Sequence, residues 1–231
     1  MDRFKSTRFP VNPSRYLWIF AVGCVCFAAV LVCINLFVDR YYVFHPQDGE
    51  FYESLEPNTR FLKAAYLETH CADFDAVIMG SSRDVGYLTS DVDRALGVTS
   101  FNYGVAAGNL RGIKARLEWL ALMECLPAQI LLPLSIDKLR LPQRPDDLLR
   151  KEHPSIVGTS QYRREFILSY IGTDAFISNF RKLIRLLRKK QEPKFRYELS
   201  TGDVTYLWDR SFDIERCTEA PNPAQVPVIT E

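Results

Sequence analysis

The chain has 231 residues, 47% of them apolar and 25% charged, with a formal net charge of +1. That composition suits a folded domain with an appendage and excludes a disordered chain. So even a charge balance excludes a whole-protein field aimed at nucleic acid.

Residues 16–38, YLWIFAVGCVCFAAVLVCINLFV, run for 23 positions without a charged side chain. At about 1.5 Å per residue, a helix of that length covers the roughly 30 Å hydrocarbon core of a bilayer. Four cations (Arg3, Lys5, Arg8, Arg15) against Asp2 give residues 2–15 a charge of +3. Five acids (Asp39, Asp48, Glu50, Glu53, Glu56) against Arg40 give residues 39–56 a charge of −4. Positive flanks stay in the cytoplasm, so a topology follows. Residues 1–15 are expected in the cytoplasm, 16–38 across the cell (inner) membrane, and the rest outside. Tyr16, Trp18, Tyr41 and Tyr42 suit the two interfaces. The alternative is a cleaved signal peptide, whose apolar core is usually shorter, about 7–15 residues. No small-residue cleavage site follows Val38. The AVGC before Cys24 is faintly like a lipoprotein site, but the apolar run continues past it.

Of six cysteines, Cys24, Cys26 and Cys33 fall in the apolar segment, where Cys behaves as a small hydrophobe. Cys71, Cys125 and Cys217 remain, widely spaced, so one disulfide is compatible with an oxidising compartment and its partners are open. No CxxC or Cys/His cluster has metal-ligand spacing, so neither a metal nor another cofactor is expected.

Residues 39–57, rich in aromatics, acids and Pro, read as a juxtamembrane linker. Residues 58–72 carry Phe61, Leu62, Ala65 and Tyr66 at helical spacing, with Asn58 or Thr59 as cap. DAVIM, 75–79, reads as a short buried strand. Residues 89–97 open on a Thr-Ser-Asp cap cluster and stop at Gly97, a short helix. TSFNY, 99–103, reads as a second strand. Residues 109–125 form an amphipathic helix with Leu110, Ile113, Leu117, Leu120 and Leu126 on one side. QILLPLSI, 129–136, is a third apolar run, which Pro133 places at an edge or bulge.

Strands alternating with helices predict a parallel sheet flanked by helices, whose ligands bind at the carboxyl ends of the strands. Three small-residue loops would gather there. These are Gly80-Ser81-Ser82, the stretch from Gly104 to Asn109, and Ser135 with Asp137. Ser82 has two readings, a nucleophile on display or the cap of a following helix.

Residues 161–190 read as helical in two pieces parted near Gly172. The second piece gathers Phe176, Ile177, Phe180, Leu183, Ile184 and Leu187 on one face. Arg181, Lys182, Arg185, Arg188, Lys189 and Lys190 cover the other. Such a helix either packs on the domain with a solvated basic face or docks on anionic lipid or an acidic polymer. Residues 195–208 read as strand, Thr-Gly-Asp turn, strand, within a domain spanning 58–216. Residues 217–231 carry three prolines and read as a loose tail.

The anchor followed by NLFVDRYYVF, DAVIMGSSR, FNYGVAAGN and ILLPLSIDKL resembles the membrane-anchored SGNH/GDSL-type hydrolases. It is similar to the branch that includes alginate O-acetylation proteins and the D-alanyl transfer protein of teichoic acids. The resemblance covers about residues 30–140. It implies a partial SGNH-like (flavodoxin-like) α/β fold with Ser82 as nucleophile and Ser81 in place of the usual Asp. It implies oxyanion donors among Gly104, Gly108 and Asn109, the family's glycine falling on Ala107 or Gly108. A serine becomes nucleophilic when a base takes its proton, and the oxyanion needs donors about 3 Å away.

The family's late Asp-x-x-His block is missing. The histidines are His45, His70 and His153. His45 lies beside the membrane, and His70 lies at the amino edge of the sheet. His153, in DDLLRKEHP, is the remaining base candidate, with Asp147 six residues before it rather than three. The chain reads as the nucleophile half without the base half, through an early end or because a partner supplies the base. Three expectations follow. One is an extracytoplasmic esterase or O-acyltransferase-related enzyme acting on acyl groups of a surface polysaccharide, with a partner membrane acyltransferase. Another is a non-catalytic SGNH-fold binding or assembly protein. The third is a fragment that folds poorly.

Overall fold

The computed structural model describes residues 13–133, 147–188 and 192–207. Ser135, Asp137, Cys217, Lys189, Lys190, the tail and the first twelve residues lie outside these ranges.

The chain opens with the helix α1 (Pro13–Val38), uninterrupted over its 26 residues. Every side chain from Ser14 to Val30 is exposed, and the stretch Ser14–Val38 is long and apolar enough to cross a membrane. From Leu31 onward one side of α1 is covered by the domain. The chain turns sharply at its end. Asp39, buried, accepts the backbone N–H groups of Val43, Phe44 and His45 at 3.0, 2.8 and 2.7 Å. Those bonds satisfy donors that would otherwise be orphaned in the turn.

The parallel sheet is small and mixed α/β in its setting. Strands β2 (Ala76–Ile78), β3 (Ser100–Asn102) and β4 (Gln129–Leu131) lie in the order β3-β2-β4. Helices α2 (Thr59–His70), α3 (Thr89–Leu96) and α4 (Leu110–Leu122) intervene or flank. Asn58 caps α2 by accepting from Phe61 N, and Gly97 ends α3 at φ +68°, a left-handed conformation suited to glycine. The cap of α3 departs from expectation. The residue before it is Leu88, and the carboxylate of Asp203, far away in sequence, accepts from Thr89 N and Oγ1. Leu126 lies beyond α4 and is exposed, while Trp119 and Leu120 face the core. Ala64, Leu67, Val77, Met79, Phe101 and Ile113 join α2, α4 and the sheet into the main core. Cys71 is bonded to Cys125 across it.

A second sheet was not legible in the linker. Residues Glu50–Glu53 form β1, antiparallel to β5 (Phe195–Glu198), which pairs with β6 (Asp203–Tyr206). Four residues of alternation are too short a signal, and the partner lies about 145 residues on. The tip of the β5–β6 hairpin reaches the parallel sheet. Asn102 N donates to Thr201 O at 2.8 Å, and a β-carbon on Gly202 would stand 2.3 Å from Asn102 O.

Three further helices, α5 (Pro154–Val157), α6 (Ser160–Ile171) and α7 (Thr173–Leu187), complete the described chain. The break between α6 and α7 falls at Gly172, as the sequence indicates. The end of α1 is bonded to this pair. Asn35 Nδ2 donates to Ile171 O and Gly172 O, and Asn179 Nδ2 donates to Asn35 Oδ1.

Candidate functional site

The first loop leaves the central strand β2 at Gly80. A β-carbon there would meet Asp84 Cβ at 2.2 Å, so only glycine fits. Asp84, buried, folds back and accepts from Ser81 N at 2.6 Å and Ser81 Oγ at 3.0 Å. Ser81 is thereby occupied as a structural residue. Ser82 follows in a turn and is exposed, and its hydroxyl makes no hydrogen bond among the described residues. It caps no helix. A short 3-10 turn, Asp84–Gly86, comes next, and α3 begins only at Thr89. Of the two readings of Ser82, the helix cap is ruled out.

The second loop lies against the first. Val105 N donates to Gly80 O, and a β-carbon on Gly108 would stand 2.3 Å from that same oxygen. Asn102, fully buried, ties the two together. Its Nδ2 donates to the carbonyls of Asp84, Val85 and Tyr87, and its Oδ1 accepts from Gly104 N at 2.8 Å. The Gly104 N–H is thus engaged inside the fold. The Gly108 N–H donates to Val105 O at 3.1 Å. Asn109 Oδ1 caps α4 by accepting from Gly112 N, which leaves its Nδ2 as the side-chain donor at this edge.

Two cations on α2 hold the second loop from beneath. Lys63 Nζ donates to Asn102 O and Gly104 O, both at 2.8 Å, and Arg60 Nη2 donates to Ala106 O and Ala107 O. Burial pushes the Lys63 ammonium down to about 7. Arg60 and Arg116, both fully buried, share the carboxylate of Glu152. Burial pushes the Glu152 carboxyl up, but Arg116 and Arg60 outweigh it and hold it below its ordinary value. An amphipathic pattern places charges on the solvent face, so nothing in α2 marked these residues as internal.

His153 is placed by its own local structure. Its Nδ1 accepts from Ser155 N as the cap of α5 and lies 3.4 Å from Glu68 Oε1, and its ring packs on Phe61. Burial holds the imidazole below its ordinary value, against the pull of Glu68. His153 does not line the space next to Ser82.

That space is a cavity of about 20 Å³, room for one water. Its walls come from the first loop (Ser82, Val85), the second (Ala106), the start of α2 (Glu56, Thr59) and the hairpin (Phe195, Tyr197, Val204, Tyr206). Glu56 is the acidic group in that lining. Burial, then the nearby Asp147 carboxylate, push its carboxyl above the ordinary value, with Arg150 and Arg40 opposing. No sequence pattern marks it, because Glu56 sits in what reads as a linker. The described site thus offers an unpartnered hydroxyl and a carboxylate of raised proton affinity, while Asn109 belongs to the adjoining loop and does not line the cavity. Compared with family models, with curated proteins and with solved structures, the chain has a match in none of the three.

Proposed function

We propose that the chain is a membrane-anchored, extracytoplasmic protein of the SGNH hydrolase type, with Ser82 acting on acyl esters of a surface polysaccharide. The observation that carries the reading is the exposed, unpartnered Ser82 hydroxyl at the carboxyl end of the central parallel strand, beside the Gly108 loop. In open α/β sheets this is where ligands bind. The anchor is supported by α1, and its orientation by the +3 flank before it and the −4 flank after it. The Cys71–Cys125 bond suits an oxidising compartment.

Glu56 takes the part of the absent histidine. Ser82 Oγ attacks the acyl carbonyl and its proton passes to the Glu56 carboxylate. That proton then goes to the leaving sugar oxygen as the ester bond breaks. Water, or a hydroxyl of a second acceptor, next gives its proton to the Glu56 carboxylate as it attacks the acyl-serine. The acyl–Oγ bond breaks, the acyl group leaves as free acid or new ester, and the proton returns from Glu56 to Ser82 Oγ. A carboxylate whose proton affinity is raised is the better base for this task. Donation to the oxyanion falls to Asn109 Nδ2.

A second reading is a non-catalytic binding or assembly protein on the same scaffold. The engagement of the Gly104 and Gly108 N–H groups inside the fold favours it. A fluorophosphonate probe separates the two. The full chain, folded in detergent micelles, is expected to take the probe at Ser82 and to lose it on Ser82→Ala. Folded protein that stays unlabelled removes the enzyme reading and leaves the binding one.

A further inference from the structure

Helix α7 is docked the wrong way round for a soluble domain. Its buried residues are Ala175, Asn179 and Lys182. Asn179 bonds Asn35 and receives Arg40 N, while Lys182 Nζ donates to Glu53 Oε1 at 2.6 Å. At 3.6 residues per turn, the next sector of the helix holds Phe176, Phe180, Leu183, Leu187, Ile184 and Ile177. Ile177 is 51% exposed, Phe180 43% and Leu187 76%. Arg181, Arg185 and Arg188, all exposed, follow in the sector after that. The protein side of the helix thus carries Asn179 and Lys182 beside the small Ala175, while Ile177, Phe180 and Leu187 turn outward, Phe176, Leu183 and Ile184 lie half-buried between, and three cations edge the far side.

The neighbour it is docked on says what covers that apolar side. α7 packs along the last turns of α1, from about Leu31, where α1 stops being exposed all round. From Tyr16 to Val38, α1 is about 34 Å long against a hydrocarbon core of about 30 Å. Its final two turns therefore lie at the outer boundary of that core, and the first half of α7, bonded to Asn35 through Gly172 and Asn179, lies at the same depth. At this depth α1 is itself open on the side away from Asn35, where Phe37 is 83% exposed.

We infer that α7 is an interfacial membrane helix. Its Phe176–Leu187 face is sunk among the acyl chains of the outer leaflet, and Arg181, Arg185 and Arg188 reach anionic phospholipid headgroups. The long cationic stems suit that depth. The domain is then held to the bilayer at two places rather than one, and the Ser82 site keeps a set height and tilt above the membrane. This inference rests on the reading of α1 as a membrane span and is independent of any role for Ser82.

The test uses full-length protein in vesicles of mixed phosphatidylcholine and phosphatidylglycerol. The background carries Cys24→Ala, Cys26→Ala, Cys33→Ala and Cys217→Ala and keeps the Cys71–Cys125 bond. A bimane fluorophore is placed in turn at Phe180→Cys, at Val25→Cys within α1, and at Asp91→Cys on α3. All three positions are exposed, so the fold tolerates them. Quenching is read with lipids spin-labelled near the head of the acyl chain, and with deeply labelled lipids for Val25. The Phe180 probe is expected to be quenched about twofold or more above the Asp91 probe. Equal quenching at Phe180 and Asp91, with Val25 quenched, overturns the inference and leaves the anchor standing. A Phe180 probe that is shielded but unquenched shows a protein partner instead and overturns it as well. An unquenched Val25 probe removes the anchor and the inference together.

Discussion

A β-carbon on Gly108 would stand 2.3 Å from the carbonyl oxygen of Gly80, so the two loops at the strand tips touch through bare backbone. Gly108→Ala must push the second loop away from the first. A loss of about 2 kcal/mol or more is expected, within the range of overpacked interiors. Thermal unfolding in micelles measures it, and an unchanged midpoint contradicts the contact.

The exposed Ser82 hydroxyl makes no hydrogen bond among the described residues. Ser82→Ala should leave stability within about 0.5 kcal/mol of the parent while abolishing fluorophosphonate labelling. If Glu56 takes the proton, labelling is fast while its carboxyl is ionised. It should slow as pH falls through a value above the ordinary 4.5 of that group. Glu56→Gln should slow labelling and flatten that acid limb. A limb that survives in the Gln variant assigns the base elsewhere.

Glu152 neutralises two buried guanidiniums, and one of these carries the second loop through Ala106 and Ala107. Glu152→Gln strands both cations out of water. Removing one partner of a buried charge group costs about 3–5 kcal/mol. Denaturant titration should show that loss, and a loss below about 1 kcal/mol means that water reaches the guanidiniums.

Lys63 has a folded value near 7 against its ordinary 10.5. Between those two values the unfolded chain binds a proton that the folded chain refuses. Stability therefore rises with pH over this window and is flat below it. The slope approaches about 1.4 kcal/mol per pH unit. Lys63→Met lowers stability overall by leaving two carbonyls without their donor, but it should remove that slope. Unfolding curves at several pH values between about 7 and about 9 compare the two. Parallel slopes in parent and variant would sink the assignment.

The Cys71–Cys125 bond closes a loop with a separation of 54 residues. On the chain-entropy account that constraint contributes about 4 kcal/mol. Denaturant midpoints with and without reductant give the figure directly. Coincident midpoints would mean the bond constrains little in the unfolded chain.

What the sequence made legible is what local patterns encode. Hydrophobic spacing gave α2 and α4, β-branched and apolar runs gave β2, and Gly97 and Gly172 marked helix ends. The order of these elements gave the parallel sheet. What stayed hidden depends on partners remote in sequence. β1 exists because β5 lies beside it, and α3 is capped by Asp203. Lys63 and Arg60 are internal because backbone carbonyls of another loop await them. α7 misleads for a related reason. Its apolar stripe was plain, but a stripe does not say whether protein or lipid covers it, and here the polar residues Asn179 and Lys182 make the protein contact. The Ser82 loop was legible as a loop, whereas Glu56 beside it was not.

The hairpin tip that meets Asn102 also blocks a route to self-association. β3 is the outer strand on its side of the parallel sheet, and an outer strand offers a ladder of free donors and acceptors on which another chain can template. Thr201 takes the last donor of that ladder, and Gly202 sits hard against its last acceptor. Copies of the chain that collide meet a closed flank on β3, which keeps such collisions from seeding a growing polymer.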